Sequence, residues 1–335
     1  MTITGMKKVF NWDFGDLLML TGAGFTKNMG GIVSFEMFSQ ISNHKRVRSN
    51  KPLKSLLLSS LIGGRDYEEA YSKVLSDESF GSEEKEIMRE AILDAYRHLH
   101  RKIAGFRYSD HPDHFDCHHF SELLTLFNRG NARCPIFTLN QDLFLENEFN
   151  WRAPASPVFP MGWNNGDGLA NPPFQQLSQA TWDDVCEGIQ MHAGPPYIKL
   201  HGSYGWLSST GNHNLIIGRD KQAQIRNEPL LKAYFGLFEL ALLKSGKKKI
   251  LIIGYSFRDP HINEVLLNAV TMNASKLFII NPGDQSTFYK RLGEQKLDDL
   301  VLGIECYYPY TLKQIFFTKN SPEWLQIKAD LLAPI

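Results

Sequence analysis

Five short runs constrain the fold most: Leu17 to Leu20, Pro135 to Leu139, Tyr197 to Leu200, Ile250 to Ile253 and Leu277 to Ile280 are apolar almost throughout. A strand with one wet face alternates apolar and polar residues, whereas a strand covered by helices on both faces does not. The runs therefore read as buried parallel strands. Helical patterns lie between most of them. Glu83 to Ile103 repeats Met88, Ile92, Ala95 and Leu99 at steps of three and four behind Ser82 as N-cap, with Glu83 and Glu84 at the positive end of the dipole. Pro229 to Lys244, Pro260 to Val270 with Asp259 as N-cap, and Ser321 to Leu332 read likewise. Strands alternating with helices predict an α/β fold, a doubly wound Rossmann-like parallel sheet.

Two stretches do not fit a simple alternation. More than a hundred residues separate the first two strands, too many for one crossover, which predicts an inserted helical subdomain over residues 28–130. Residues 151–196 hold seven of the chain's 16 prolines, so a Pro/Gly-rich loop region without long regular elements is expected there. Residues 283–335 read as a C-terminal strand-helix extension of a single domain spanning 1–335. Lys247-Lys248-Lys249 reads as a solvated helix end.

The 335 residues carry 36 Lys+Arg and 36 Asp+Glu, a formal net charge of +0. That balance removes the field that would draw a protein to nucleic acid or an anionic membrane, so neither is an expected partner. No stretch approaches the roughly 18 apolar residues of a membrane span, and Asp13 and Asp16 interrupt the run a signal peptide would need. Cys117, Cys134, Cys186 and Cys306 form no C-x-x-C pair, which fits unpaired thiols in a reducing compartment. The expected localisation is cytoplasmic.

Each predicted strand runs straight into a polar or glycine cluster: Thr21-Gly22-Ala23-Gly24-Phe25-Thr26, Asn140-Gln141-Asp142, His201-Gly202-Ser203, Gly254-Tyr255-Ser256-Phe257 and Asn281-Pro282. Ligands of open parallel sheets bind outside the carboxyl ends of the strands, so five clusters would share one crevice. Gly22-Ala23-Gly24 has the form of a phosphate cradle, in which glycines admit an anion and the next helix offers N–H groups. The same residues also fit a tight turn. As a dinucleotide fingerprint the run is incomplete, because the third glycine of G-x-G-x-x-G would fall at Lys27.

Together the clusters resemble the sirtuin superfamily, whose motif order is G-A-G-x-[ST], T-x-N-x-D, H-G, G-x-S and a strand ending in Asn. The corresponding residues are Gly22 to Thr26, Thr138 to Asp142, His201-Gly202, Gly254 to Ser256 and Asn281. Tyr197 to Ser203 and Ile252 to Asn263 resemble a bacterial sirtuin-like subgroup that includes NAD-hydrolysing effectors of anti-phage defence. Deacylases of the superfamily carry paired C-x-x-C motifs for structural zinc, absent here, and a G-I-P-x-F-R segment that reads Gly31-Ile32-Val33-Ser34-Phe35-Glu36 in this chain.

The resemblance implies an NAD glycohydrolase with NAD as substrate and no metal. Asn140 would serve the ribose or the attacking water, Asp142 the nicotinamide amide, and His201 would act as general base at a ribose hydroxyl. Gly22, Ala23, Gly24, Phe25, Thr26, Gly254, Ser256 and Asn281 would bind the dinucleotide. Asp259 is expected to cap the next helix, while His261 and Asn263 either line the site or pack. His111, His114, Cys117, His118 and His119 could bind zinc, but Phe115 to Phe127 also reads as a helix with Phe120, Leu123, Leu124 and Phe127 inward. An NAD-dependent protein deacylase and a non-catalytic NAD or ADP-ribose binding subunit are the alternatives. Control is expected through a homo-oligomer or, by resemblance, a HerA-type ATPase.

Overall fold

The computed structural model describes residues 14–104, 117–128, 134–149, 153–156, 174–191, 194–211, 213–243 and 246–334. Among these described residues nine strands follow in chain order: β1 (Leu17–Thr21), β2 (Ile136–Thr138), β3 (Gln175–Gln176), β4 (Tyr197–Lys199), β5 (Gly202–Leu207), β6 (His213–Leu215), β7 (Lys249–Ile253), β8 (Lys276–Ile280) and β9 (Ile304–Tyr308). Six of them form one sheet in the order β4-β2-β1-β7-β8-β9, every pair parallel. Counted along the chain, that is the 3-2-1-4-5-6 order of the doubly wound Rossmann-like sheet, whose direction reverses between β1 and β7.

Why the strands are apolar on both sides is visible in the two cores. Leu17, Met19, Leu251 and Ile253 enter one core with Phe25, Phe38, Ile92 and Phe120 from the helices between β1 and β2. Their neighbours Leu18, Leu20, Ile250 and Ile252 enter the other, with Tyr234 and Phe238 of the Pro229–Leu243 helix and Ile262 and Leu266 of the Pro260–Asn273 helix. Each side chain leaves water, so no polar alternation survives. The Ser82–Ala104 and Cys117–Leu126 helices bury the inward residues that their spacing indicates, including Met88, Ile92, Leu99, Phe120 and Leu123. Ser321 caps the Pro322–Leu332 helix, its Oγ accepting from Trp324 N at 3.1 Å.

Two expectations are corrected, and one sheet is added. Lys248 and Lys249 are not a solvated end: both are buried. Lys248 Nζ donates to the carbonyls of Phe14 and Gly15 at 2.8 and 2.7 Å. Lys249 Nζ donates to those of Asp330, Leu331 and Ala333 at 2.7, 3.1 and 2.5 Å, closing the carbonyl end of the Pro322–Leu332 helix. Within 151–196, a ten-residue helix, Trp182–Met191, stands where no long element was expected. The prolines there flank residues 174–194 and leave that stretch free to coil, with Thr181 and Asp184 capping reciprocally at 2.7 and 3.2 Å. A second, three-stranded sheet, β3-β5-β6, was not anticipated; β5 starts at the glycine of the His201-Gly202 pair.

Among the described residues, Cys134, Cys186 and Cys306 form no disulfide. Among the described residues no helix is long and apolar enough to cross a membrane.

Candidate active site at the sheet switch point

The carboxyl ends of β1 and β7 meet at the reversal of the sheet. Gly22 N–H donates to Ile253 O and Gly24 N–H to Gly254 O, each at 3.0 Å, and Phe25 N–H donates to Gly22 O at 2.9 Å. These three amides are thus already paired inside the protein. The glycines are explained first by close approach of two loops: a Cβ on Gly24 would lie 2.8 Å from the Gly254 Cα, and one on Gly254, where φ is 65°, would lie 2.3 Å from Phe25 N. The expected cradle of free helix amides is correspondingly reduced, since the helix that follows, Ala23–Lys27, is only five residues long.

A cavity of about 1770 Å³ opens over this junction. Gly22, Ala23, Gly24, Thr26, Asn140, Asp142, His201, Gly254, Ser256 and Asn281 all line it. Phe25 does not; its ring is buried against Phe120 and Phe144, with centroids 5.6 and 6.1 Å away. Of the residues left open by sequence, His261 and Asn263 both line the cavity while largely buried. Asn263 braces the loop after β7: its Oδ1 accepts from Tyr255 OH and its Nδ2 donates to Phe257 O, both at 2.8 Å.

The T-x-N-x-D segment is held by its threonine. Thr138 Oγ1 accepts from Thr21 Oγ1 at 2.8 Å, joining β2 to β1, and from Asn140 N–H at 3.0 Å. The Asn140 amide itself makes only a 3.5 Å contact, from Nδ2 to Thr26 Oγ1, leaving it available to a ligand. Gln141 points the other way: its Nε2 donates to the carbonyls of His201 and Ile216 at 2.9 and 3.0 Å, and its Oε1 accepts from Tyr96 OH. One glutamine therefore ties the β2 loop, the β4–β5 turn and the Ser82–Ala104 helix together.

Asp142 is buried, and its Oδ1 accepts from Phe144 N–H at 3.0 Å. Burial raises its carboxyl above the usual range, opposed by the nearby Lys199 ammonium. Lys199 is fully buried in β4 and donates to Glu146 Oε1 at 2.7 Å and to the Asp142 carbonyl at 2.5 Å. A lysine inside an apolar run was the visible sign of a buried partner; nothing in the local sequence identified Glu146 as that partner.

His201 sits in the turn after β4, where Gly202 takes the left-handed φ of 75°. Its Nε2 lies 3.0 Å from Nε2 of His261. Burial pushes His201 down to about 3 and His261 down to about 4, each opposed by the Asp259 carboxylate and reinforced by the Lys221 ammonium. Both rings are neutral at physiological pH.

Asp259 makes no side-chain cap on the Pro260–Asn273 helix, contrary to expectation. Its Oδ1 instead pairs with Lys221 Nζ at 2.7 Å, and Lys221 also pairs with Glu68 at 2.7 Å. A largely enclosed ammonium offers the carboxylate a charge-assisted bond, stronger than a neutral backbone N–H would give. Donor atoms of His201, Asp259 and His261 lie within 4.8 Å of one another, a spacing that a cation could span, and Lys221 is the cation that occupies the Asp259 oxygen. Lys221 and Glu68 were missed in sequence because they lie 153 positions apart.

Glu36, which replaces the arginine of the deacylase segment, accepts from Val33 N–H at 2.9 Å and pairs with Lys27 at 2.6 Å, while Phe35 stands exposed at the cavity. Asn281 Nδ2 donates to Tyr307 OH at 2.8 Å, and Ser256 is exposed. His111 and His114 lie outside the described residues; His119 Nδ1 lies 3.3 Å from Phe316 O.

No curated protein matches the chain. Residues 135–299 match the model of a family described as SIR2-like domain, a segment that contains Asn140, Asp142, His201, Gly254, Ser256 and Asn281. That segment, just under half of the chain, is similar to SIR2-like domains, which use NAD.

Proposed function

We propose that the protein is an NAD glycohydrolase that cleaves the nicotinamide–ribose bond with water as acceptor, acting as an NAD-depleting effector of anti-phage defence. The observation that carries this reading is the convergence of Asn140, Asp142 and His201 with Gly22 and Gly24 on one cavity at the sheet reversal. Hydrolysis breaks the C–N bond, its electron pair passes to the pyridinium nitrogen, and the ribose carbon gains oxocarbenium character before water adds. The attacking water, or a ribose hydroxyl hydrogen-bonded to it, must lose a proton. His201, neutral at working pH, has a lone pair to take it. Asn140, with a donor and an acceptor on one amide, orients ribose and water. Asp142 accepts from the carboxamide N–H. Asp142 and Gln141 are buried parts of the cavity wall, where a lower local dielectric strengthens contacts of this kind.

The test is to incubate the protein with NAD and measure nicotinamide release, with and without an acetylated peptide, beside Asn140→Ala and His201→Ala. Release without peptide that either substitution abolishes is the expected result. Peptide-dependent release supports a deacylase instead, and NAD binding without release supports a binding subunit. Control by self-association or by a HerA-type ATPase belongs to the same proposal, and gel filtration with and without that ATPase tests it; a fully active monomer counts against it.

A further inference from the structure

His201 enters the cavity wall with one of its two ring nitrogens already engaged. Its Nε2 lies 3.0 Å from His261 Nε2, a hydrogen-bond distance between two atoms of which only one can carry the proton. If His261 were the donor, the proton of neutral His201 would sit on Nδ1, and neither nitrogen of His201 would keep a lone pair to accept another. If His201 is the donor, its Nδ1 is left basic. We propose that His261 is a positioning residue that accepts from His201 Nε2–H, fixing His201 in the tautomer whose Nδ1 can take a proton; this rests on the proposed hydrolysis for its catalytic meaning.

Only that direction leaves His201 a lone pair for the base role assigned to it. An oxygen of Asp259 lies within 4.8 Å of both histidines' donor atoms. When His201 gains a proton, its Nε2–H bond to His261 becomes charge-assisted, and the nearby carboxylate stabilises the imidazolium. The groups facing the pair are Asp259 and Lys221, with Glu68 behind Lys221. One ammonium against two carboxylates leaves that wall acidic. Phe235, with its ring centroid 5.8 Å from that of His261, closes the pair on the apolar side. The logic is that of an orienting carboxylate behind a catalytic histidine, with a neutral imidazole as the orienting group.

The His201 tautomer is read directly by nitrogen NMR of histidine-labelled protein without substrate, while kcat and KM are measured for wild type, His261→Phe and His261→Gln. Glutamine keeps an acceptor oxygen; phenylalanine keeps bulk and removes the acceptor. The expected result is a proton on His201 Nε2 in the wild type and in His261→Gln, and a shift toward Nδ1 in His261→Phe. With it, kcat falls at least tenfold in His261→Phe with KM changed less than about threefold, and His261→Gln recovers activity to within about threefold. A wild-type proton on Nδ1 overturns the proposal, as does a His261→Phe enzyme with unchanged kcat. Should His261→Phe not fold, the wild-type spectrum and His261→Gln still decide. An inactive wild type with its proton on Nε2 removes the hydrolase reading and leaves the assigned hydrogen bond standing.

Discussion

Gly24 and Gly254 touch backbone to backbone: the Gly24 N–H donates to the Gly254 carbonyl at 3.0 Å, with no space for a side chain on either. This contact brings the loops after β1 and β7 together at the point where the sheet reverses, and the cavity lies above it. Gly254→Ala introduces a Cβ 2.3 Å from Phe25 N at a φ of 65°. The left-handed strain and the overlap together predict a loss of about 3 kcal/mol or more. Chemical denaturation measures it, and a midpoint shift below about 1 kcal/mol would mean that the two loops separate easily.

Asn140→Ala is predicted to separate stability from activity. The side chain makes only one 3.5 Å contact, so its loss changes the melting temperature by less than about 2 °C. Nicotinamide release falls at least a hundredfold. Thermal denaturation beside the NAD assay checks both, and a large drop in melting temperature would assign Asn140 a structural role.

Lys199 and Glu146 form a buried ion pair under Asp142. Lys199→Met leaves Glu146 charged without its partner and costs about 3–5 kcal/mol. Lys199→Met with Glu146→Leu removes both charges and recovers most of that loss. Denaturant midpoints of the single and double variants test this; a double variant no better than the single would place the cost in the Asp142 carbonyl contact.

Stability should fall in mild acid. Burial pushes His100 and His201 down to about 3 and His261 down to about 4, while the unfolded value is about 6.5. The depressed imidazoles stay neutral in the fold, so their stabilisation is complete above pH 6.5. As the pH drops below that, the unfolded chain binds protons first, and each histidine costs up to about 1.4 kcal/mol per unit. The loss ends near pH 4 for His261 and near pH 3 for the other two. His100 stacks on Tyr204 with centroids 4.2 Å apart, and its Nε2 is buried without a partner. His100→Phe keeps the stack and is predicted to be at least as stable at pH 7, with a shallower fall in melting temperature between pH 6.5 and 5. An unchanged slope in calorimetry at those two pH values would exclude His100 from the acid response.

The order of motifs along the chain carried much of the site. Each strand of the 3-2-1-4-5-6 sheet ends in the residues that line the cavity, because parallel strands deliver all their carboxyl ends to one edge. Strand identity followed from local composition, since burial on both faces excludes polar residues from Leu17 to Leu20 or Ile250 to Ile253 as it does from any such strand. Asn140, Asp142 and His201 were legible for the same reason.

Long-range charge was not. Lys248 and Lys249 read as solvent-facing, and only the fold brings Phe14 and the end of the Pro322–Leu332 helix over their ammonium groups. Asp259 read as a helix cap, and only the fold brings Lys221, itself paired with Glu68, to its carboxylate. Hydrophobic period and turn chemistry act over a few residues and are written locally, so the sequence by itself determined the main strands of the parallel sheet, several of the longer helices and most of the motif residues at the crevice. The partner of a buried charge is chosen by three-dimensional proximity, and the tertiary structure alone decided which histidine faces which and where each lysine finds its carboxylate.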